Sequence, residues 1–320
     1  MIRNRVNSCL FCRSGESQTL FLKNDVPILG CDACGHQFCR NHVEVSGRIA
    51  EEFGDDYFFG GESCYEDYSV KGADLQRQGA YYSKILARHL DQQRRENPRI
   101  LDVGCAAGFM LGGFASQGWE TTGLEANQTM AKYGRDELGL DVRHSTIEDF
   151  DADESYDAAS FVQVLSHIAE PFEALNRIHD KLLPDGLLLI ETWDCESLAA
   201  KTFGRNWHQW NPPSVLHWFT KQRLSKQLND CDFEVIEIGR PVKWIRLGNA
   251  AAVLKKAVSD SKVLSALAAP AQLMPSWVKF PYPMDDCFWI VARKKAKVPT
   301  RDFEPVTSRQ GVVEMATVSA

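Results

Sequence analysis

The stretch Leu101–Gly108 reads LDVGCAAG and closes a short apolar run that begins at Arg99. An apolar run followed by small residues predicts a buried strand that turns tightly into a helix, because Gly and Ala let the backbone come close to a ligand. The start of that helix offers unpaired N–H groups and a positive dipole end, which suit a carboxylate. Asp102 lies at the end of the strand, where its side chain can meet an ammonium group.

The spacing D-x-G-x-x-x-G distinguishes this turn from the G-x-G-x-x-G of dinucleotide-binding folds. The carboxylate of Asp102 would repel a pyrophosphate, so a nicotinamide dinucleotide is disfavoured. Glu125 ends the next predicted strand, 23 positions later, where it can accept hydrogen bonds from both hydroxyls of a ribose. Nicotinamide-binding folds also have an acidic residue at the end of this strand. The turn, and not Glu125, therefore distinguishes this site from a dinucleotide site.

Downstream of the turn, short apolar runs alternate with amphipathic stretches as far as residue 294. Predicted strands cover residues 119–125, 141–144, 156–162, 187–192, 233–238 and 287–292. Predicted helices cover residues 109–117, 128–138 after a cap at Asn127, 171–183 and 221–229. Continuous apolar strands separated by helices predict an α/β fold whose parallel sheet is covered on both faces.

Two cysteine pairs, Cys9-x-x-Cys12 and Cys31-x-x-Cys34, stand eighteen residues apart near the start of the chain. The spacing is typical of a zinc ribbon, in which two knuckles supply four thiolates in tetrahedral geometry. A site closed by four thiolates leaves no position for a substrate, so the Zn²⁺ is expected to be structural. Three nearby residues are further candidate ligands, either in place of one of the cysteines or in a second, partial metal site: His36, Cys39 and His42.

The chain has 320 residues, of which 44% are hydrophobic and 25% charged, and its formal net charge is −7. That charge disfavours nucleic acid as a partner. Residues 240–297 hold eleven Lys and Arg against three Asp, a net of +8. This segment is interpreted either as attracting an anionic or lipid-linked acceptor or as a solvated basic face. No apolar run reaches the length of a membrane span and the first residues lack a secretory signal, so a cytoplasmic protein is expected.

From about residue 57 to residue 295, the chain resembles the class I S-adenosylmethionine-dependent methyltransferases. Five motifs carry the resemblance in the expected order: Leu101–Gly108, Thr122–Ala126 (TGLEA), Ser145–Phe150 (STIEDF), Val162–Ile168 (VQVLSHI) and Leu183–Ile190 (LPDGLLLI). Ala106 departs from the Gly of many members, which leaves the cofactor prediction intact. The resemblance implies a Rossmann-like sheet of seven strands and S-adenosylmethionine as the methyl donor.

The resemblance also implies where each part of the cofactor lies. The residues expected to bind it are Asp102, Gly104, Cys105, Ala106 and Gly108 at the methionine end, Glu125 at the ribose, Thr146, Ile147 and Glu148 at the adenine, and Gln163 under the methyl donor. Glu148 is also explained as a solvated carboxylate at the start of a helix.

Histidines are the candidates for a base that takes a proton from the methyl acceptor. His208 lies in the aromatic segment 206–219, whose mixture of hydrogen-bonding and ring side chains suits a sugar or another ring acceptor. His167 follows the fourth strand of the sheet, where it either acts as a base or orders the loop through a backbone hydrogen bond. His217 is expected to order the loop.

The chain divides into a zinc ribbon (1–45), an aromatic lid and helical lead-in (46–97), a methyltransferase domain (98–294) with an insertion (241–284), and a tail (295–320) expected to be disordered. The insertion is interpreted as a cap over the acceptor pocket or as a surface that docks on a membrane or a phosphorylated lipid carrier. Four aromatic residues are interpreted either as a lid over the cofactor or as packing between the ribbon and the main domain: Tyr57, Phe58, Tyr65 and Tyr68.

The ribbon resembles those that precede methyltransferases of sugar, polysaccharide and natural-product pathways. The predicted function is therefore methyl transfer to a small molecule, a sugar or a precursor of a glycan or natural product. The alternative is a zinc-ribbon adaptor that binds the cofactor but transfers nothing. A nucleic-acid or protein methyltransferase is disfavoured by the net charge and by the lack of an Asn-Pro-Pro-aromatic tetrad after the fourth strand.

Overall fold

The computed structural model describes residues 9–12, 14–39, 71–91, 96–241, 244–246, 279–281 and 285–295. Within these ranges the strands are β1 (Ser17–Lys23), β2 (Val26–Cys31), β3 (Gln37–Cys39), β4 (Arg99–Val103), β5 (Glu120–Glu125), β6 (Val142–His144), β7 (Tyr156–Val162), β8 (Leu182–Trp193), β9 (His217–Trp218), β10 (Phe233–Gly239), β11 (Trp244–Arg246), β12 (Lys279–Pro281) and β13 (Cys287–Lys294). The helices are α1 (Gly72–Ala87), α2 (Phe109–Ala115), α3 (Gln128–Asp136), α4 (Pro171–Lys181), α5 (Leu198–Phe203) and α6 (Lys221–Asp230).

Seven of the described strands form one sheet in the order β10-β13-β8-β7-β4-β5-β6. The five strands from β8 to β6 are parallel, whereas β13 runs antiparallel to both of its neighbours. This arrangement confirms the predicted Rossmann-like α/β fold. The chain leaves the central strand β4 for β5 on one side and later reaches β7 on the other. The carboxyl ends of β4, β5 and β7 therefore meet at a switch point, where open α/β sheets bind their ligands.

Apolar side chains on the two faces of the sheet form two buried clusters. On one face, Leu101 packs in the cluster that includes Ile178 of α4 and Leu224 of α6. On the other face, its neighbour Ile100 packs in the cluster that includes Leu86 of α1 and Phe114 of α2. Successive residues of a strand point to opposite faces, so a continuous apolar run supplies both clusters.

The predicted boundary of β8 is wrong by five residues. The sequence predicts a strand over residues 187–192 and a turn at Pro184-Asp-Gly before it, but the strand begins at Leu182. Leu182 pairs with Tyr156 of β7, and the register then shifts before Ala158 pairs with Leu187. Asp185 adopts a φ of 58° inside this irregularity. The residues expected as a turn therefore form a bulged continuation of the strand.

A second described sheet has the order β1-β2-β3-β9. Its first three strands belong to the N-terminal segment that contains the cysteine pairs, whereas β9 belongs to the segment that follows β8. Two main-chain contacts support this junction, because β3 pairs with β9 and Cys39 N donates to Leu216 O at 2.9 Å. The ribbon is thus joined through its backbone to a loop at the carboxyl edge of the main sheet.

Several predicted features lie outside the described residues. They are the aromatic residues Tyr57, Phe58, Tyr65 and Tyr68, the histidine His42, most of the insertion 241–284 and the tail beyond residue 295. In the part of the chain that is described, no helix has both the length and the apolar character needed to cross a bilayer.

Glycines allow α1 and α2 to pack backbone against backbone. A Cβ atom at Gly79 of α1 would collide with the carbonyl oxygen of Met110, and one at Gly113 of α2 would collide with that of Gln76. The neighbouring Gly112 is different, because its nearest atom would be Gln76 Nε2 at an ordinary 3.4 Å. This close approach positions the start of α2, which follows the glycine-containing turn directly.

We expect Gly113→Ala to lower the free energy of unfolding by about 1 to 3 kcal/mol, because the added methyl group must push the two helices apart. Gly112→Ala is the matched control in the same helix, and it should be neutral or stabilising by up to about 1 kcal/mol. Urea denaturation followed by circular dichroism measures both variants. Equal effects of the two substitutions would contradict the proposed close contact.

Candidate functional site

The turn after β4 adopts the conformation that its small residues predict. Gly104 has a φ of 70°, and its N–H donates to Leu124 O at 2.8 Å, which ties the turn to β5. A Cβ atom at Gly104 would lie 2.6 Å from Val164 Cγ2, so only glycine fits between the turn and the loop after β7. Ala106 has a φ of 50°, a conformation that is strained for a residue with a side chain and is often found at functional sites.

Glu125 holds this turn through both oxygens of its carboxylate. Oε2 accepts from Ala106 N at 2.8 Å, and Oε1 accepts from Asn127 N at 2.7 Å. Burial raises the pKa of Glu125, while hydrogen bonds from backbone amides oppose that shift. Each carboxylate oxygen has two lone pairs, so Glu125 retains the capacity to accept two ribose hydroxyls. The donor and acceptor groups at this edge therefore fit a nucleoside.

Asp102 is a second buried carboxylate at the same edge, and its Oδ1 accepts from Ser160 Oγ at 2.7 Å. Burial raises its pKa to about 7, with a further contribution from the charge of Glu125. A nearby cation would favour the ionised form of both acids. The pair thus fits a ligand that carries positive charge, such as an ammonium or sulfonium group.

The segment after β6 lies beside the end of β5, because Ser145 N donates to Glu125 O at 3.1 Å. The three residues expected at the adenine have different environments. Thr146 is half-buried and its hydroxyl donates to Asp149 Oδ2 at 3.0 Å, whereas Glu148 is exposed. Ile147 is 1% exposed and packs in the core cluster on that face of the sheet.

Gln163 follows β7 and adopts a φ of 62°. Its Nε2 donates to Glu191 Oε1 at 2.6 Å and to Cys287 Sγ at 3.2 Å. The Glu191 carboxylate also accepts from Gln78 Nε2 at 2.7 Å and from the Tyr82 hydroxyl. Neither the periodicity nor the motifs of the sequence predict this network. The one local sign of the network in the sequence is Glu191, an acidic residue in the predicted strand 187–192.

The three histidines near this edge have different surroundings. His167 Nδ1 bonds to Ser214 O, and burial lowers the pKa of its imidazole. His208 is exposed and lies edge-to-face with Trp193, their ring centroids 5.3 Å apart. His217 is fully buried, with its Nδ1 3.3 Å from His36 Nε2 and its Nε2 3.3 Å from Ala169 O. His217 therefore orders the loop, as the sequence predicts.

The expectation that the tryptophans of segment 206–219 offer their faces to an acceptor is wrong. Trp207, Trp210 and Trp218 are 0%, 7% and 2% exposed, because they pack together against β2 and the segment after β8. Trp207 Nε1 donates to Asp286 Oδ2 at 3.0 Å, and Trp218 Nε1 donates to Gln209 O at 2.8 Å. Their apolar area forms a core beneath the loop rather than a binding surface.

The four predicted metal ligands come together at one end of the ribbon. The Sγ atoms of Cys9, Cys12, Cys31 and Cys34 all lie within 4.8 Å of one another. The closest pairs are 3.4 Å and 3.5 Å apart, compared with about 3.8 Å for sulfurs placed tetrahedrally at 2.3 Å from Zn²⁺. Amides of residues 11 and 12 donate to the Cys9 sulfur, and those of residues 33 and 34 to the Cys31 sulfur. The donor set and its dimensions fit zinc.

Two of the three other residues considered as zinc ligands, His36 and Cys39, bond elsewhere in the described part of the chain. Cys39 Sγ donates to Val215 O at 3.4 Å, and His36 contacts His217. Both residues therefore connect the ribbon to the loop around β9.

Comparisons with known proteins identify a methyltransferase domain that contains the turn after β4 and Glu125. A family model described as "Methyltransferase domain" matches residues 74–238. The ubiquinone biosynthesis O-methyltransferase of Ruegeria pomeroyi is 28% identical over 185 residues, which cover 51% of this chain and 75% of the relative. The enzyme of the same name from Azorhizobium caulinodans is 27% identical over 171 residues, which cover 48% of this chain and 68% of the relative.

A solved structure shares the fold. The crystal structure of the 1,6-didemethyltoxoflavin-N1-methyltransferase of Burkholderia thailandensis, with bound 1,6-didemethyltoxoflavin and S-adenosylhomocysteine, matches with a TM-score of 0.50 and 16% identity. The match covers 88% of this chain and all of the other. The family model spans just over half of the chain and ends within the seven-stranded sheet. The chain therefore belongs to the methyltransferase-domain family, as a class I S-adenosylmethionine-dependent methyltransferase.

Proposed function

We propose that this methyltransferase acts on a small molecule, a sugar or a precursor of a glycan or natural product. The main support for a cofactor site at this edge is the Glu125 carboxylate, which holds the glycine-containing turn and retains lone pairs for a ribose. The curated relatives are named for ubiquinone biosynthesis, and the toxoflavin enzyme is crystallised with a small heterocycle. Both support a small acceptor. The sugar class rests on the resemblance of the ribbon.

When bound, S-adenosylmethionine supplies a methyl group that is already activated by the positive sulfur. The chain has to orient the two reactants and exclude water. Asp102 and the turn from Gly104 to Gly108 would receive the methionine end, and Glu125 the ribose. Thr146 and Glu148 would border the adenine, with Ile147 as apolar support beneath it. Gln163 would lie under the sulfonium.

The acceptor would approach along the carboxyl end of β8. His208 is exposed there beside the half-buried Trp193, so an acceptor can reach its imidazole, which would take a proton from a hydroxyl. His167 would position the loop, because its Nδ1 is engaged with Ser214 O. An anionic or lipid-linked acceptor is suggested by the basic segment 240–297, most of which lies outside the described residues.

The four ribbon cysteines would hold one structural zinc ion. The ion would fix both knuckles, and with them β3, on which β9 pairs. Its contribution to function would be indirect, through the loop that carries Trp207 and His208.

The ribose assignment predicts that Glu125→Ala weakens the binding of S-adenosylhomocysteine by about 1 to 3 kcal/mol, because charge-assisted hydrogen bonds are lost. Isothermal titration calorimetry measures this effect. Glu120→Ala is the matched control, since Glu120 lies exposed at the opposite end of the same strand. Unchanged affinity in Glu125→Ala, with the fold intact, would refute the assignment.

Turnover is the test of the acceptor class and of the adaptor alternative. Reactions with candidate nucleotide sugars, followed by mass spectrometry, should show a mass gain of one methyl group and equal formation of S-adenosylhomocysteine. With a hydroxyl acceptor, His208→Gln should reduce the rate by about 10²- to 10⁴-fold and leave S-adenosylhomocysteine binding unchanged. His89→Gln, at the far end of α1, is the control. Cofactor binding without turnover on any acceptor would favour the adaptor.

The zinc assignment predicts about one zinc ion per chain by elemental analysis. Cys12→Ser, or removal of the metal by a chelator, should increase hydrogen exchange in residues 17–39 and also in residues 215–219, because β9 loses an ordered partner. The core strands β4 and β7 should stay protected. Cys231→Ser, a buried cysteine outside the ribbon, is the control. Native protein that contains no zinc would exclude this site.

A further inference from the structure

Glu191 is an acidic residue buried in the centre of the fold. Its side chain is 0% exposed, and it directly follows the apolar run Leu187–Ile190 of β8. Burial of a carboxylate costs several kcal/mol unless hydrogen bonds compensate. An apolar residue of similar size would avoid this cost, so the acid calls for a functional explanation.

The contacts of Glu191 favour its ionised form. Oε1 accepts from Gln163 Nε2 at 2.6 Å and from Cys287 Sγ at 3.4 Å. Oε2 accepts from Gln78 Nε2 at 2.7 Å and from the Tyr82 hydroxyl. With donors at both oxygens, a proton on the carboxyl group would compete with them. Burial and the charge of Glu191 raise the pKa of Tyr82 well above its usual value, so Tyr82 remains a donor.

The position of Glu191 places this charge beside the proposed methyl donor. Glu191 pairs with Val162 across β7 and β8, and Gln163 follows directly. The next residue, Val164, packs against Gly104 of the cofactor turn. Only β7 separates β8 from β4, so the two strands lie roughly 10 Å apart. Glu125 lies on the other side of β4, on the ribose side.

We propose that Glu191 is a specificity residue whose negative charge favours the cationic sulfonium of S-adenosylmethionine over the neutral thioether of its product. The proposal rests on the cofactor site described above. Asp102 and Glu125 would contact the ammonium group and the ribose, which substrate and product share. Glu191 lies at the end of the site where the two differ in charge. Release of the product is thereby made easier relative to binding of the substrate.

Coulomb's law indicates the size of the effect. At an effective dielectric constant of about 20, a unit charge one to two strand spacings from a cation, about 5 to 10 Å, changes the affinity for that cation by at least about tenfold. The same charge has little effect on a neutral thioether. The ratio of the two affinities therefore reports the charge of Glu191, whereas a purely structural role would alter both affinities together.

The test compares three ligands by isothermal titration calorimetry: S-adenosylmethionine, S-adenosylhomocysteine and sinefungin, which carries an ammonium group in place of the methyl sulfonium. Glu191→Gln should weaken the binding of the two cationic ligands about tenfold relative to S-adenosylhomocysteine. Tyr82→Phe is the matched control, because it removes a hydrogen bond from the same carboxylate and keeps the charge. Its affinity ratios should equal those of the wild type.

A second variant provides the same test if Glu191→Gln does not fold. The double substitution Tyr82→Phe with Glu191→Met removes the carboxylate together with the hydroxyl that donates to it, so that no Tyr82 hydroxyl is left buried without an acceptor. It should show the same tenfold loss for cationic ligands. Affinity ratios that stay at the wild-type value in a folded, charge-free variant would overturn the proposal. Wild-type protein that binds none of the three ligands would instead refute the proposed cofactor site.

Discussion

The carboxyl edge of the seven-stranded sheet depends on the hydrogen bonds of one carboxylate, that of Glu125. Its oxygens accept the N–H groups of Ala106 and Asn127, and so join the turn after β4, the end of β5 and the start of α3. Ala106 has a positive φ, which its local sequence does not favour. The carboxylate stabilises this turn because a buried N–H group without an acceptor would cost about 1 to 3 kcal/mol. The same side chain thus fixes the shape of the turn and supplies acceptor atoms for the proposed ribose contact.

The features that could be predicted from the sequence are those whose signals are local. Asn127 was expected to cap a helix, and its side chain does accept from Met130 N at 2.8 Å. The predicted strand 156–162 has the observed limits because turns and polar residues bound a continuous apolar run. Asp102, Glu125 and the glycine-containing turn come together because the parallel strands end at one edge.

The features that could not be predicted depend on contacts between distant residues. The two residues of β9 carry no strand signal, and they pair with β3 only because the ribbon lies beside them. The tryptophans of segment 206–219 were expected at a binding surface, but the ribbon and the segment after β8 cover them. The Glu191 network joins α1, the loop after β7, and β13. Neither periodicity nor motif spacing reports such long-range packing.

The pairing of β3 with β9 has a consequence for the order in which the chain folds. His36 and His217, which meet at this junction, are 181 residues apart. During synthesis the cysteine-bearing hairpin leaves the ribosome first, while the fourth strand of its sheet has yet to be translated. Until that strand arrives, the hairpin presents an open edge and the apolar side chains of Val26 and Ile28. Early metal binding would keep the nascent hairpin compact and limit its aggregation before the rest of the protein emerges.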